Sequence, residues 1–321
     1  MQLMDTDDSE PQGPEVVINS AFDPAMAGLV REEDIVSPET TACACESCKL
    51  ARFEGTTLKR AVVHTYSYAP RAWKLHKGPE DRYKRNLYYL GVELETSKRG
   101  YTSVSKNIAA DMRIPKRFWV AKNDSSVTGP EFASHPATLS WWHSKATELD
   151  EMFKMLRHGG YRSHDGGKAG MHVNISRNAF DDARHLYRFL TLLHVDAKWS
   201  LVMSQRTESQ ANQWSSLSYH NDVGERRRHA IGAFNSSYYC NRYSALNAPS
   251  GEPRFEFRLP RGTLRLDRFY KNLEFTVGMI EYTRDNKVRD CSPVQFMAWV
   301  DANKTEYPNL NSFISEKFAA K

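Results

Sequence analysis

Three short stretches of this 321-residue chain alternate so strictly that they restrict it to a sheet with two unlike faces. A β-strand sends successive side chains to opposite sides. In Gly91-Val-Glu-Leu-Glu-Thr96, Glu93 and Glu95 share one side and Val92 and Leu94 the other. In Gly170-Met-His-Val-Asn-Ile175, His172 and Asn174 lie opposite Met171, Val173 and Ile175. In Arg254-Phe-Glu-Phe-Arg258, Arg254, Glu256 and Arg258 lie opposite Phe255 and Phe257. Each strand therefore has one apolar face and one ionisable face. Same-face carboxylates two residues apart repel unless a cation lies between them. A divalent cation and a solvated charged face both satisfy this pattern.

The apolar faces need cover, and the sequence supplies helices. Ser144 to His158 carries a stripe of Ala146, Leu149, Met152, Phe153 and Leu156, ended by Gly159-Gly160. Asp181 to Met203 reads as one long helix, with Leu186, Phe189, Leu190, Leu193, Ala197 and Leu201 on its stripe. Asp267 is expected to cap a helix with Phe269, Leu273, Val277 and Ile280, and Ser292-Pro293 to start a last one. Further strands are expected over 61–68, 87–96, 118–126 and 253–260, and 205–229 reads as a long polar loop. Residues 1–57 form an acidic tail, expected to be flexible, with a cysteine cluster; 58–321 form the folded domain.

The formal charge of +5 suits an anionic ligand and is too small to indicate a nucleic-acid binder, even with Arg226-Arg227-Arg228-His229. That run reads as a solvated loop. No stretch is apolar enough to span a membrane. Five cysteines, three of them at Cys43, Cys45 and Cys48, do not form a secreted disulfide framework, so a cytoplasmic protein is expected. Cys43, Cys45 and Cys48 with His64 either hold a structural zinc ion or are free thiols. Cys240, beside Tyr238, Tyr239 and Tyr243, reads as a core residue, and Trp141-Trp142-His143 as core or cleft wall.

An ordered set of segments between residues 62 and 275 resembles the amidoligases, of the carboxylate–amine ligase group that includes glutamine synthetase and glutamate–cysteine ligase. The segments are Gly91-Val-Glu-Leu-Glu95, Lys122-Asn-Asp-Ser125, Gly129-Pro-Glu131, Ser134-His-Pro136, Gly170-Met-His172, Arg242-Tyr-Ser-Ala-Leu-Asn247 and Arg254-Phe-Glu-Phe-Arg258 with Gly262-Thr263. Tyr66-Ser-Tyr-Ala-Pro70 resembles the family's leading segment. The resemblance implies an α+β fold: a curved antiparallel sheet, helices on its convex face, and a polar concave face binding ATP and Mg²⁺ or Mn²⁺. It makes Glu93, Glu95, Glu131, His172 and Glu256 metal-ligand candidates, with Glu93, His172 and Glu256 on one ion and Glu95 and Glu131 on the other. It makes Arg258 and Arg254 stabilisers of phosphate charge. Lys122, Asn174, Arg206, Arg242 and Asn247 become nucleotide- or substrate-binding candidates. Asn174 stands where many relatives have a second histidine.

The activity so implied is ATP-dependent joining of a carboxylate to an amine through an acyl phosphate. Such chemistry asks the protein mainly for positioning and charge neutralisation. Oxygen ligands suit Mg²⁺, and the histidine admits Mn²⁺. Asp124 is the candidate base for the amine proton. The partners expected are a carboxylate and an amine, each a small molecule, a peptide or a protein side chain. The competing readings are an inactive binding module of the same fold, a nucleic-acid binder, and a guanidino kinase.

Overall fold

The computed structural model describes residues 59–60, 63–68, 74–77, 87–98, 113–114, 118–164, 169–218, 222–235 and 242–318. The acidic N-terminal segment, Cys43, Cys45, Cys48 and Cys240 lie outside the described residues.

The strands are β1 (Lys59–Arg60), β2 (Val63–His64), β3 (Leu90–Glu95), β4 (Ser97–Lys98), β5 (Arg113–Ile114), β6 (Trp119–Lys122), β7 (Glu131–Ser134), β8 (Tyr161–Arg162), β9 (Met171–Ser176), β10 (Leu246–Asn247) and β11 (Arg254–Phe257). The α-helices are α1 (Leu139–His143), α2 (Ala146–His158), α3 (Ala183–His194), α4 (Ala197–Ser204), α5 (Glu208–Trp214), α6 (Val223–Phe234), α7 (Leu266–Asp285), α8 (Pro293–Ala302) and α9 (Pro308–Phe318). The fold is α+β. Its main sheet runs β10-β11-β9-β3-β7-β6-β2, antiparallel throughout except that β2 joins β6 in parallel.

The strictly alternating strands form the middle of this sheet, and their apolar side is fully covered. Val92, Leu94, Met171, Val173, Ile175, Phe255 and Phe257 are all at most 1% exposed. Phe257 meets Phe189 of α3 and Phe275 of α7 edge-on or tilted, and Phe255 meets Phe180. Trp119 of β6 meets Phe269 of α7. Helices thus close one face, where each buried aromatic contributes roughly 1.5–3 kcal/mol. Trp141 and Trp142 belong to this core, and His143 bonds Glu274 at 3.1 Å.

Four expectations are corrected. The stretch 181–203 is two helices, because Asp182 and Asp196 each act as an N-cap, accepting from the His185 and Trp199 N–H groups. A hydrophobic stripe that continued from Leu193 to Ala197 and Leu201, past Asp196, concealed the second start. The stretch 205–229 is not a loop: it contains α5 and most of α6. Thr207 and Gln210 form a capping box, and Asp222 accepts from the Glu225 N–H. Local capping therefore outweighs the polar composition. The basic run lies on α6, with Arg226 and His229 buried and Arg227 and Arg228 exposed, so it is not one solvated patch. Asp267 sits in the first turn of α7 rather than at its cap, which is Arg265. Ser292 caps α8 ahead of Pro293, as expected. Among the described residues no helix is long and apolar enough to cross a membrane.

Candidate metal and phosphate site

Strand register sets the polar side chains in rungs across the sheet. Asn247, Glu256, Asn174 and Gly91 lie on one rung. His172, Glu93 and Ala133 lie on the next. Glu95, Glu131, Lys122 and His64 form the third. The small residues Gly91 and Ala133 keep the floor low, and a cavity of about 930 Å³ opens above it. Five carboxylates (Glu93, Glu95, Asp124, Glu131, Glu256) and five cations (Lys122, Arg206, Arg242, Arg254, Arg258) line that cavity with His172. An ordinary solvated sheet face does not concentrate charge of both signs in a hollow.

The five carboxylates and His172 fall into two trios. Glu93, His172 and Glu256 bring one ligand atom each within 4.8 Å of one another, and Glu95, Asp124 and Glu131 do the same. Oxygen and nitrogen ligands about 2.1 Å from an ion stand up to about 4.2 Å apart, so each trio fits one hard cation after small adjustments. The trios adjoin: His172 Nδ1 lies 3.3 Å from Glu256 and 3.5 Å from Glu93, and Nε2 lies 3.9 Å from Glu95. Asp124, the candidate base, thus stands with the acidic groups, and its Oδ1 accepts from the Ser126 N–H at 2.8 Å.

The neighbours of each acid differ. Glu256 accepts from Arg258 at 2.6 Å and from Asn247 at 2.9 Å. Asn174 donates to Glu93 at 2.9 Å and accepts from Arg254, so its amide orients the pair. Burial opposes ionisation of Glu93, but His172, Arg254 and Asn174 outweigh it and hold its carboxyl down at about 2. Glu95 accepts from the Gly170 N–H at 2.6 Å. Among the described residues, the cation facing Glu131 is Lys122, 3.9 Å away and also 5.0 Å above the Tyr66 ring. Burial, with Glu93, Asp124 and Glu95 nearby and Lys122 opposing, pushes Glu131 up to about 8.

That shift has a measurable consequence. A carboxyl whose folded pKa exceeds its unfolded value binds an extra proton when folded, so folding stability falls as pH rises from about 4.5 to about 8. Glu93, shifted the other way, acts only below about 4.5. In chelator, the melting temperature of wild type is expected to fall between pH 5 and 8 relative to that of Glu131→Gln; buried His135 and His185, held down at about 4, and Lys271, held down at about 7, act in the opposite sense in both proteins. Mn²⁺ is expected to raise the melting temperature more at pH 8 than at pH 5. The same pH dependence in wild type and Glu131→Gln across this range would contradict the placement of Glu131 among like charges.

The arginines approach from the β9–β11 side. Gln205 adopts φ 62°, a left-handed conformation that ends α4 and turns Arg206 inward. Arg206 is buried; its Nε donates to Leu259 O at 2.9 Å, and Nη2 lies 3.2 Å from Pro260 O. A Cβ on Gly170 would come within 2.8 Å of Arg206 Nη2 and 3.2 Å of His172 Nε2. A side chain here would displace the Arg206 guanidinium, so glycine leaves it room where the motif enters the cavity. Arg242 lies over the Tyr243 ring at 5.4 Å, on the wall that Trp214 also forms. Trp214 was not legible as a site residue, because α5 was read as loop; the Thr207…Gln210 capping signal could have found it. His64 stacks on Tyr68 at 3.7 Å on the β2 edge, and its proposed cysteine partners lie outside the described residues.

No protein-family model matches the chain, and no curated protein matches it.

Proposed function

We propose that this chain is an ATP- and divalent-metal-dependent carboxylate–amine ligase with a glutamine-synthetase-like fold, its polar sheet face being the concave one. The observation that carries the reading is the pair of adjoining ligand trios, Glu93–His172–Glu256 and Glu95–Asp124–Glu131, on the floor of a cavity walled by arginines. Two cations about 3.5–4 Å apart clamp the attacking and leaving oxygens of phosphoryl transfer. Planar guanidinium groups stabilise charge spreading over the transferred phosphoryl. The donor set fits Mg²⁺, and the imidazole fits Mn²⁺.

The residues divide the work by position. Arg258, tied to Glu256, and Arg254, tied to Asn174, present charge to a phosphate above the first trio. Arg206 and Arg242 receive the rest of the polyanion. The substrate carboxylate oxygen attacks the terminal phosphorus and ADP leaves, giving an acyl phosphate. The amine nitrogen then attacks the acyl carbon, orthophosphate leaves, and the departing phosphate takes the proton that the amine loses. Because Asp124 groups with Glu95 and Glu131, it serves as a metal ligand in this scheme rather than as the free base first expected of it.

One observation favours a second reading, a binding module without turnover: the cavity's five carboxylates and five cations balance one another. Incubation with ATP, Mg²⁺ and pooled acids and amines separates the two. Orthophosphate release that requires both an acid and an amine supports the ligase. A phosphorylated guanidino product, or no ATP consumption by a protein that binds ATP, contradicts it.

A further inference from the structure

On the covered side of the sheet, α7 buries a lysine completely. Lys271 has 0% exposure, in a helix whose neighbouring Phe269, Leu273 and Phe275 are core residues. Its ammonium donates to Met203 O at 2.6 Å and to Asn272 Oδ1 at 2.5 Å, and lies 4.7 Å from the centre of the Phe313 ring. Burial pushes its pKa down to about 7, with Arg268 reinforcing and Asp267 opposing. A methionine of similar length would fill the space without desolvating a charge. The buried charge is therefore a cost that the contacts to Met203 O and Asn272 Oδ1 must offset.

What the lysine holds leads to the cavity. Met203 lies in the last turn of α4, and the left-handed Gln205 and then Arg206 follow it. Asn272, oriented by Lys271, donates to Arg261 O at 3.2 Å, and the Arg261 N–H donates to Ser204 O at 3.0 Å. The carbonyls that hold Arg206 are those of Leu259 and Pro260, in the same segment as Arg261. Lys271 and Asn272 thus grip both chain segments that fix Arg206. We propose that Lys271 and Asn272 are a positioning pair that sets the Arg206 guanidinium for an anionic phosphate group in the cavity; this rests on the polyphosphate reading given above.

The test is calorimetric binding of inorganic triphosphate at saturating Mn²⁺, with Mn²⁺ alone titrated in parallel. Lys271→Met is expected to weaken triphosphate binding about tenfold or more, since small misplacement of a clamping group is costly. It is expected to leave the Mn²⁺ affinity unchanged, and Lys271→Arg to restore most of the loss. In an Arg206→Gln background, Lys271→Met is expected to change triphosphate binding by less than about twofold, because the two act through one group. Triphosphate binding by Lys271→Met within about twofold of wild type would overturn the proposal. So would a loss that includes Mn²⁺, or one that adds in full to that of Arg206→Gln, either of which marks a general structural role. If Lys271→Met shows no cooperative melt, Asn272→Leu is read by the same criteria, and collapse of both also overturns it. A wild type that binds Mn²⁺ but no triphosphate defeats the reading of the cavity itself, a result distinct from any failure of the variants.

Discussion

Glu256→Gln is expected to remain folded and to lose at least about 100-fold in ATP-dependent turnover, the scale of removing one preorganised electrostatic group. Glu256 is 6% exposed and sits between Arg258 at 2.6 Å, Asn247 at 2.9 Å and His172 at 3.3 Å. The amide retains one oxygen to accept from Arg258, and Asn247 with its amide turned over can accept from the new nitrogen, so the local network can be rebuilt. What it loses is the negative charge that a cation shared with Glu93 and His172 requires. Arg258 would then keep a neutral hydrogen bond in place of its ion pair, beside the contact to Trp214 O at 3.4 Å. Circular dichroism and a thermal melt establish folding, and phosphate release measures turnover. Turnover near the wild-type rate in folded Glu256→Gln would remove Glu256 from the metal site.

Gly262→Ala should be among the most destabilising single-methyl additions in the chain. A Cβ there would lie 2.2 Å from Ser163 O, 2.4 Å from Ser163 Oγ and 2.9 Å from Ala169 O. Two of those atoms are backbone, so relief requires the strand ends to separate. The cost is about 3 kcal/mol, in the upper part of the overpacking range. For a domain of this size that lowers the melting temperature by roughly 6–12 °C. The damage reaches the site as well, because Ser163 Oγ donates to Glu95 O at 2.6 Å. Weaker Mn²⁺ binding should therefore accompany the lost stability. An unchanged melting temperature would show that the 163–169 segment yields freely and does not brace Glu95.

The sheet was legible because its strands carry a period of two with a different chemistry on each face. Val92 and Leu94 against Glu93 and Glu95 leave little freedom in how β3 faces its core. The helices were legible where an apolar stripe and a cap agree, as at Ser292-Pro293. Where the two disagree the reading failed. The stripe ran on through Asp196, and α5 and α6 have caps but little apolar pattern. Strand order lay outside the reach of the sequence. That Glu93 faces His172, and Glu95 faces Glu131, depends on pairing between segments far apart in the chain. The role of Asn174 emerged only from that register, which places its amide between Arg254 and Glu93. Lys271 gave no signal, since a lysine in a helix is normally exposed.

The central claim is that the two trios hold two neighbouring cations, and Mn²⁺ titration followed by electron paramagnetic resonance tests it most directly. The account predicts two ions bound per chain, coupled as expected for centres roughly 3.5–4 Å apart, with one ion lost in Glu256→Gln. No tight Mn²⁺ binding by the folded wild type, or isolated ions without coupling, would contradict it and leave the cavity a self-neutralised charge network.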